Sequence, residues 1–177
     1  MADTNPIKQV YDGLWIVLEA HSGFTDLVVA GNRIKLTKGL SDADEAIDPD
    51  KERMLPADFP QVRIVPMGAY AYMRESSSGT RLDLTFRIEA RTSETQYDDL
   101  GLLTWETIRA MMDWRTATDG AGSTAMASMT WASKTFVTDI SMLQRQDQVT
   151  VDKKIGISEW RALWFGRARL DFDTSDL

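Results

Sequence analysis

From Thr80 to Arg91 the chain alternates strictly. Leu82, Leu84, Phe86, Ile88 and Ala90 interleave with Arg81, Asp83, Thr85, Arg87 and Glu89. A period of two means a strand with one buried and one wet face, here a wet face of both charge signs. Five residues later the period lengthens. Tyr97, Leu100, Leu103, Ile108, Met111 and Trp114 fall close to helical spacing, which predicts a helix over 97–114. Ser93 with Gln96 three residues on resembles a capping box at its start.

An earlier helix follows from Ile7, Val10, Tyr11, Leu14, Trp15, Val17 and Leu18, a broad apolar stripe behind Pro6. Proline suits a first helical position, because its missing N–H had no helical partner. His21-Ser22-Gly23 reads as the end of this helix. Beyond it, Leu27-Val28-Val29 reads as a short strand or an irregular piece, 30–33 as a turn, and Ile34 with Leu36 as a short strand. Phe59 to Pro66 reads as a strand bounded by prolines near a sheet edge. A hairpin then pairs Ala69–Glu75 with Thr80–Arg91 across the 75–79 tip.

Later in the chain, Ala125 to Val137 reads as a strand. Ile140, Met142 and Leu143 fit either a strand or a turn of helix, and Val149 with Val151 begins a short extended piece. From Glu159 to Phe172 the alternation returns, with Trp160, Ala162, Trp164, Gly166, Ala168 and Leu170 on one face. Arg161, Leu163, Phe165, Arg167 and Arg169 lie on the other. Leu163 and Phe165 make this second face locally apolar, as in a strand buried on both sides. The expected fold class is α+β: two main helices packed on a mostly antiparallel sheet, a single domain over 1–177. A long acidic loop at 38–58 and a loose tail at 173–177 complete it.

Composition narrows the function. The 177 residues carry 20 basic and 27 acidic side chains, a net charge of -7 that disfavours general nucleic-acid or acidic-membrane binding. Without cysteine, disulfides, thiol catalysis and Cys-rich zinc sites are excluded. The MADTNP start leads into no signal segment, and no run reaches transmembrane length. Six Trp and nine Met raise the expectation of an assembly, since both are enriched at interfaces, though both also fill cores. Trp105 and Trp114 point to different sides of their helix, one fit for the core and the other for an interface.

Candidate chemistry is thin. His21 is the single histidine, and at a helix end it more often meets terminal carbonyls than acts as a base. Asp42, Asp44, Glu45, Asp48 and Asp50 lack the glycine and closing glutamate of a calcium loop, so a solvated loop outweighs cation binding. Gly120-Ala121-Gly122-Ser123-Thr124 has no following lysine and fails as a phosphate loop. The arginines at 161, 167 and 169 form a basic face, better suited to ion pairs across a subunit contact than to nucleic acid. No catalytic, metal or cofactor residue emerges.

The order of elements is similar to that of the tail terminator (tail completion) proteins of tailed bacteriophages. The matching pieces are Ile7 to Ala20, then Phe59-Pro60-Gln61-Val62-Arg63-Ile64-Val65, then Ala69 to Ala90, then Gln96 to Trp114. The resemblance covers roughly 5–115 and carries no catalytic signature. It implies a structural virion protein, not an enzyme and without a cofactor, assembled in the host cytoplasm. It implies a homo-oligomer, a hexameric ring capping the tail tube and joined to a neck or head-completion protein, through which genome DNA passes without specific binding. Ring contacts would come from Arg81, Asp83, Arg87 and Glu89 with the face Arg161, Leu163, Phe165, Arg167 and Arg169. Docking to tube or neck would come from the 38–58 loop and the tip with Glu75 and Ser77. The alternatives are another neck, head-completion or baseplate subunit, or a small-molecule-binding or adaptor α+β domain.

Overall fold

The computed structural model describes residues 6–35, 59–73, 79–93, 97–118, 126, 130–131, 134–135, 137–152 and 157–173. Helix α1 spans Pro6–Glu19, with Val10, Leu14, Val17 and Leu18 fully buried on the stripe that the periodicity marks. The chain then turns at once into a second helix, α2, Ser22–Leu27. The reading of Leu27-Val28-Val29 as a short strand or irregular piece is corrected at Leu27, which ends α2, while Val28 and Val29 are extended and outside any strand. The carbonyl of His21 accepts the Phe24 and Thr25 N–H groups at 3.1 and 3.0 Å, which starts a new helical turn. Phe24 and Val28, four residues apart, are then buried together. A 3-10 turn at Ala30–Asn32 leads to the two-residue strand β1, Arg33–Ile34.

Four long strands form the rest of the sheet: β2 Gln61–Met73, β3 Gly79–Ser93, β6 Val137–Asp152 and β7 Ile157–Asp173. Between them lie the helix α3, Tyr97–Met112, and a small ribbon of β4, Thr130–Trp131, with β5, Lys134–Thr135. The sheet order is β1-β2-β3-β7-β6, parallel between β1 and β2 and antiparallel elsewhere. This is an α+β fold, three helices against a five-stranded mixed sheet. The expected continuous strand over 125–137 is replaced by the ribbon, because the chain reverses between Trp131 and Lys134.

Two strands run through points where the sequence pattern breaks. β2 continues past Pro66 by a register shift between Pro66 and Gly68, a bulge that absorbs the exposed Met67. Pro66 breaks no pairing there among the described residues, where β2 pairs on its far side at Val62 and Arg63. β6 is one strand of 16 residues, with slips between Val137 and Asp139 and between Met142 and Gln144. The second slip falls where Ile140, Met142 and Leu143 stop alternating cleanly.

One sheet face carries the helices. α3 lies across β3, β7 and β6, and α1 and α2 pack against α3. The core joins Leu84, Phe86, Ile88 and Ala90 of β3 to Leu14 and Leu18 of α1 and Leu103 and Met111 of α3. Size is matched strand to strand: Phe86 stands opposite Gly166, Leu84 opposite Ala168 and Ile88 opposite Trp164. Around the edge, Glu19 ties α1 to β1 through Lys35 at 2.7 Å and Arg33 at 3.6 Å.

A Cβ added at Gly166 would lie 2.4 Å from the Phe86 ring, which is itself fully enclosed. Gly166→Ala is therefore expected to cost about 1–3 kcal/mol by overpacking, read as a lowered urea midpoint. A second expectation concerns alkaline pH. Burial pushes the Tyr11 phenol up to about 12. The folded chain keeps that proton where the unfolded chain has lost it, so the contribution is whole below pH ~10 and fades as pH rises toward ~12. Tyr11→Phe should flatten the fall of stability over that window, measured by denaturation at stepped pH.

Candidate functional site

The second sheet face, turned away from the helices, collects nearly every charged strand residue that the sequence singles out. On β3 it presents Arg81, Asp83, Thr85, Arg87, Glu89 and Arg91, and on β7 Asp171, Arg169, Arg167, Phe165, Leu163 and Arg161 in the facing order. The period of two puts these residues on one side, and the antiparallel register decides which ones meet.

Two carboxylates organise the face. Glu89 is 1% exposed and pairs with Arg63, its direct neighbour on β2, and with Arg87, two residues back on its own strand. Asp83 is 5% exposed. It accepts a two-pronged pair from Arg169, Nε at 3.0 Å and Nη2 at 3.4 Å, with Arg167 Nη1 at 3.6 Å on the other side. This hydrogen bond to Asp83, more than the neighbouring charges, holds Arg169 further in its charged form. Arg81 closes the end of the ladder on Asp171 at 3.0 Å.

The balance at the opposite end differs. Arg91 stands directly across from Arg161, and like charges so placed repel. The Arg91 Nη1 turns aside to donate to Gln61 Oε1 at 2.9 Å. Between the charge clusters sit Leu163, buried, and Phe165, half-buried. Among the described side chains of this face, seven arginines stand against the four carboxylates of Asp83, Glu89, Asp139 and Asp171. Among the described side chains the face thus carries a basic excess, on a chain of net charge -7.

All nine strand residues proposed as contacts, Arg81 to Glu89 and Arg161 to Arg169, therefore share one surface. Asp42, Asp44, Glu45, Asp48, Asp50, Glu75 and Ser77 lie outside the described residues. Arg63 and Gln61 belong to the network too. Sequence reading missed them, because the pairing of β2 with β3 is not visible in either strand alone.

His21 occupies a separate place, the joint of α1 and α2. Its Nε2 lies 3.3 Å from Glu106 Oε2 on α3, within ion-pair reach but without hydrogen-bond alignment. Arg109 Nη1 holds the same carboxylate at 3.2 Å. Gly23 permits this approach, since a Cβ there would meet Glu106 Oε2 at 2.2 Å. Beside it a cleft of about 280 Å³ is lined by His21, Ser22, Asp113, Thr116 and Thr118 over a floor of Val17, Ala20, Ala110 and Ala117. Among the described residues no group of three or more His, Asp or Glu could hold a metal ion. Among the described residues no helix is long and apolar enough to cross a membrane.

No protein-family model matches this chain, and no curated protein matches it. Solved structures do: 24 chains match. One is a chain of the virion of a native gene transfer agent (GTA) particle. It shares 11% identity with a TM-score of 0.55, and the match covers 92% of this chain and 95% of that one. At that identity the likeness is one of fold, carried from end to end of both chains.

The Glu89 network gives a stability expectation. Glu89→Gln leaves Arg63 and Arg87 facing each other without the charge between them, at a cost of about 3 kcal/mol. That is the low end for a broken buried pair, because each arginine keeps a quarter of its side chain in water. Asp12→Asn, which breaks the exposed Lys8–Asp12 pair, should change stability by less than about 0.5 kcal/mol. Paired urea melts of the two variants check the contrast.

Proposed function

We propose that this protein is a structural component of a virion, a tail terminator that forms a ring, hexameric in its finished state, on the end of a tail tube. The observation that carries the reading is the end-to-end fold likeness to a chain of a virion particle at an identity too low to report sequence kinship. The order of elements favours the terminator among virion subunits. The sheet face away from the helices carries paired charges with the half-buried Phe165 among them, which suits contact with a neighbouring subunit. Its arginines are largely engaged by Asp83, Glu89 and Asp171, which suits a channel protein that DNA passes without holding.

A second reading, a small-molecule-binding domain, draws on the cleft that brings His21 and Asp113 together. It lacks the enclosed shape and convergent charges of a catalytic site. A neck, head-completion or baseplate subunit is the nearest relative of the main reading and differs only in location.

The test is mass in solution by light scattering, alone and with purified tail tubes, followed by negative-stain imaging. A six-fold ring, or one collar at one end of each tube, is the expected result. A collar elsewhere on the particle would move the subunit to the neck or baseplate. A monomer that ignores tubes and retains a small molecule through purification would overturn the reading in favour of the second.

A further inference from the structure

We infer that the cleft between the ends of α1 and α3 binds a small organic cation, a primary ammonium on a short aliphatic stem. The inference takes up the cleft of the second reading, gives it a ligand class, and holds for a ring subunit equally. Two helix C-termini meet there: Val17 and Ala20 belong to the end of α1, Ala110 and Asp113 to the end of α3. A helix C-terminus carries partial negative charge, because its last carbonyls have no partners within the helix. A basic residue in the last turn is the common counterweight. α1 has none, and Arg109 of α3 is turned to Glu106. Ser22 brings the start of α2 to the same place, but that helix is short and its Phe24 and Thr25 N–H groups are spent on the His21 carbonyl.

The charged side chain in the cleft has the same sign. Asp113 is exposed, and its carboxylate has no partner among the described residues. Its carbonyl is fully used, accepting the Thr116 and Ala117 N–H groups at 2.9 Å each, so the turn that carries it is fixed. An anion beyond the end of α3 is unfavourable for the helix, and no described residue relieves it. No lysine or arginine lines the cleft. Arg115, next but one along the chain, lies over the Trp114 ring at 5.1 Å, and His21 points its Nε2 toward Glu106.

The rest of the lining selects an organic ion over a metal ion. Among the described residues no three carboxylate or imidazole groups gather as metal ligands. The floor is made of alanine and valine side chains, with the hydroxyls of Ser22, Thr116 and Thr118 around it. An ammonium has three donors and no acceptor, which suits one carboxylate with hydroxyl oxygens beside it. The methylenes of its stem suit the apolar floor. A volume of about 280 Å³ equals about nine waters at ~30 Å³ each, enough for an ammonium on a stem of about four carbons. A free alkylamine and the side chain of a lysine share this chemistry.

The test is ligand-observed saturation-transfer NMR of n-butylammonium with the full chain, in whatever assembly it adopts. Saturable binding is expected, falling as salt is raised. n-Butanol, of the same shape without the charge, should bind at least about tenfold more weakly, and Asp113→Asn should weaken n-butylammonium binding to a similar degree. The melting temperature of Asp113→Asn should not fall, because the lost charge is exposed and unpaired. Ala20→Leu, which fills the cleft and leaves its charge, should abolish binding, while Asp98→Asn at the far end of α3 should leave it unchanged. Competition by Nα-acetyl-lysine methylamide separates the two sources: displacement means that a lysine side chain enters, and no displacement restricts the cleft to free amines. The inference is overturned if n-butanol binds as well as the cation, if Asp113→Asn or Ala20→Leu binds as the parent does, or if Asp98→Asn weakens binding as much as Asp113→Asn. The ring reading then stands, since no part of it uses the cleft.

Discussion

Phe86 lies over Gly166, and this contact fixes the register of the two central strands. The ring fills the space that a side chain on β7 would need, so sliding β7 by two residues drives Phe86 against Trp164 or Ala168. Sliding by one is worse, because it turns the helix-facing residues to the other side of the sheet. Arg161, Arg167 and Arg169 of β7 would then turn toward the helix layer of Leu103 and Met111. The same register puts Arg81 on Asp171 and Asp83 on Arg169. The two sheet faces therefore specify one pairing by different means, packing on one side and charge on the other. Everything laid on the sheet, α3 first and then α1 and α2, takes its position from it.

The parts of this fold legible in the sequence are those where one physical period runs unbroken. β3 and β7 alternate over more than ten residues each, and α1 and α3 keep their stripes. What escaped the reading did so for local reasons. α2 hides because it is only six residues long and runs into Val28 and Val29, whose strand propensity masks it, while its buried anchors are Phe24 within the helix and Val28 at its cap. β2 looked like two strands because the bulge beyond Pro66 shifts its alternation by one residue. β6 looked like fragments because it slips twice against β7. In each case the strand or helix is long enough, and the pattern is interrupted rather than absent.

The candidate surface was legible by membership but not by partnership. Alternation alone places Arg161, Arg167 and Arg169 on one face, yet nothing in β7 says that Asp83 takes two of them. Nor does β3 say that Glu89 reaches across to Arg63 on β2. That distinction changes the chemistry available. A row of unpaired arginines would bind phosphate, with strong dependence on salt. Arginines already held by buried carboxylates must first give up those partners, and an exposed polyanion competes poorly for them. Among the described side chains the face is basic in composition and largely neutralised in structure.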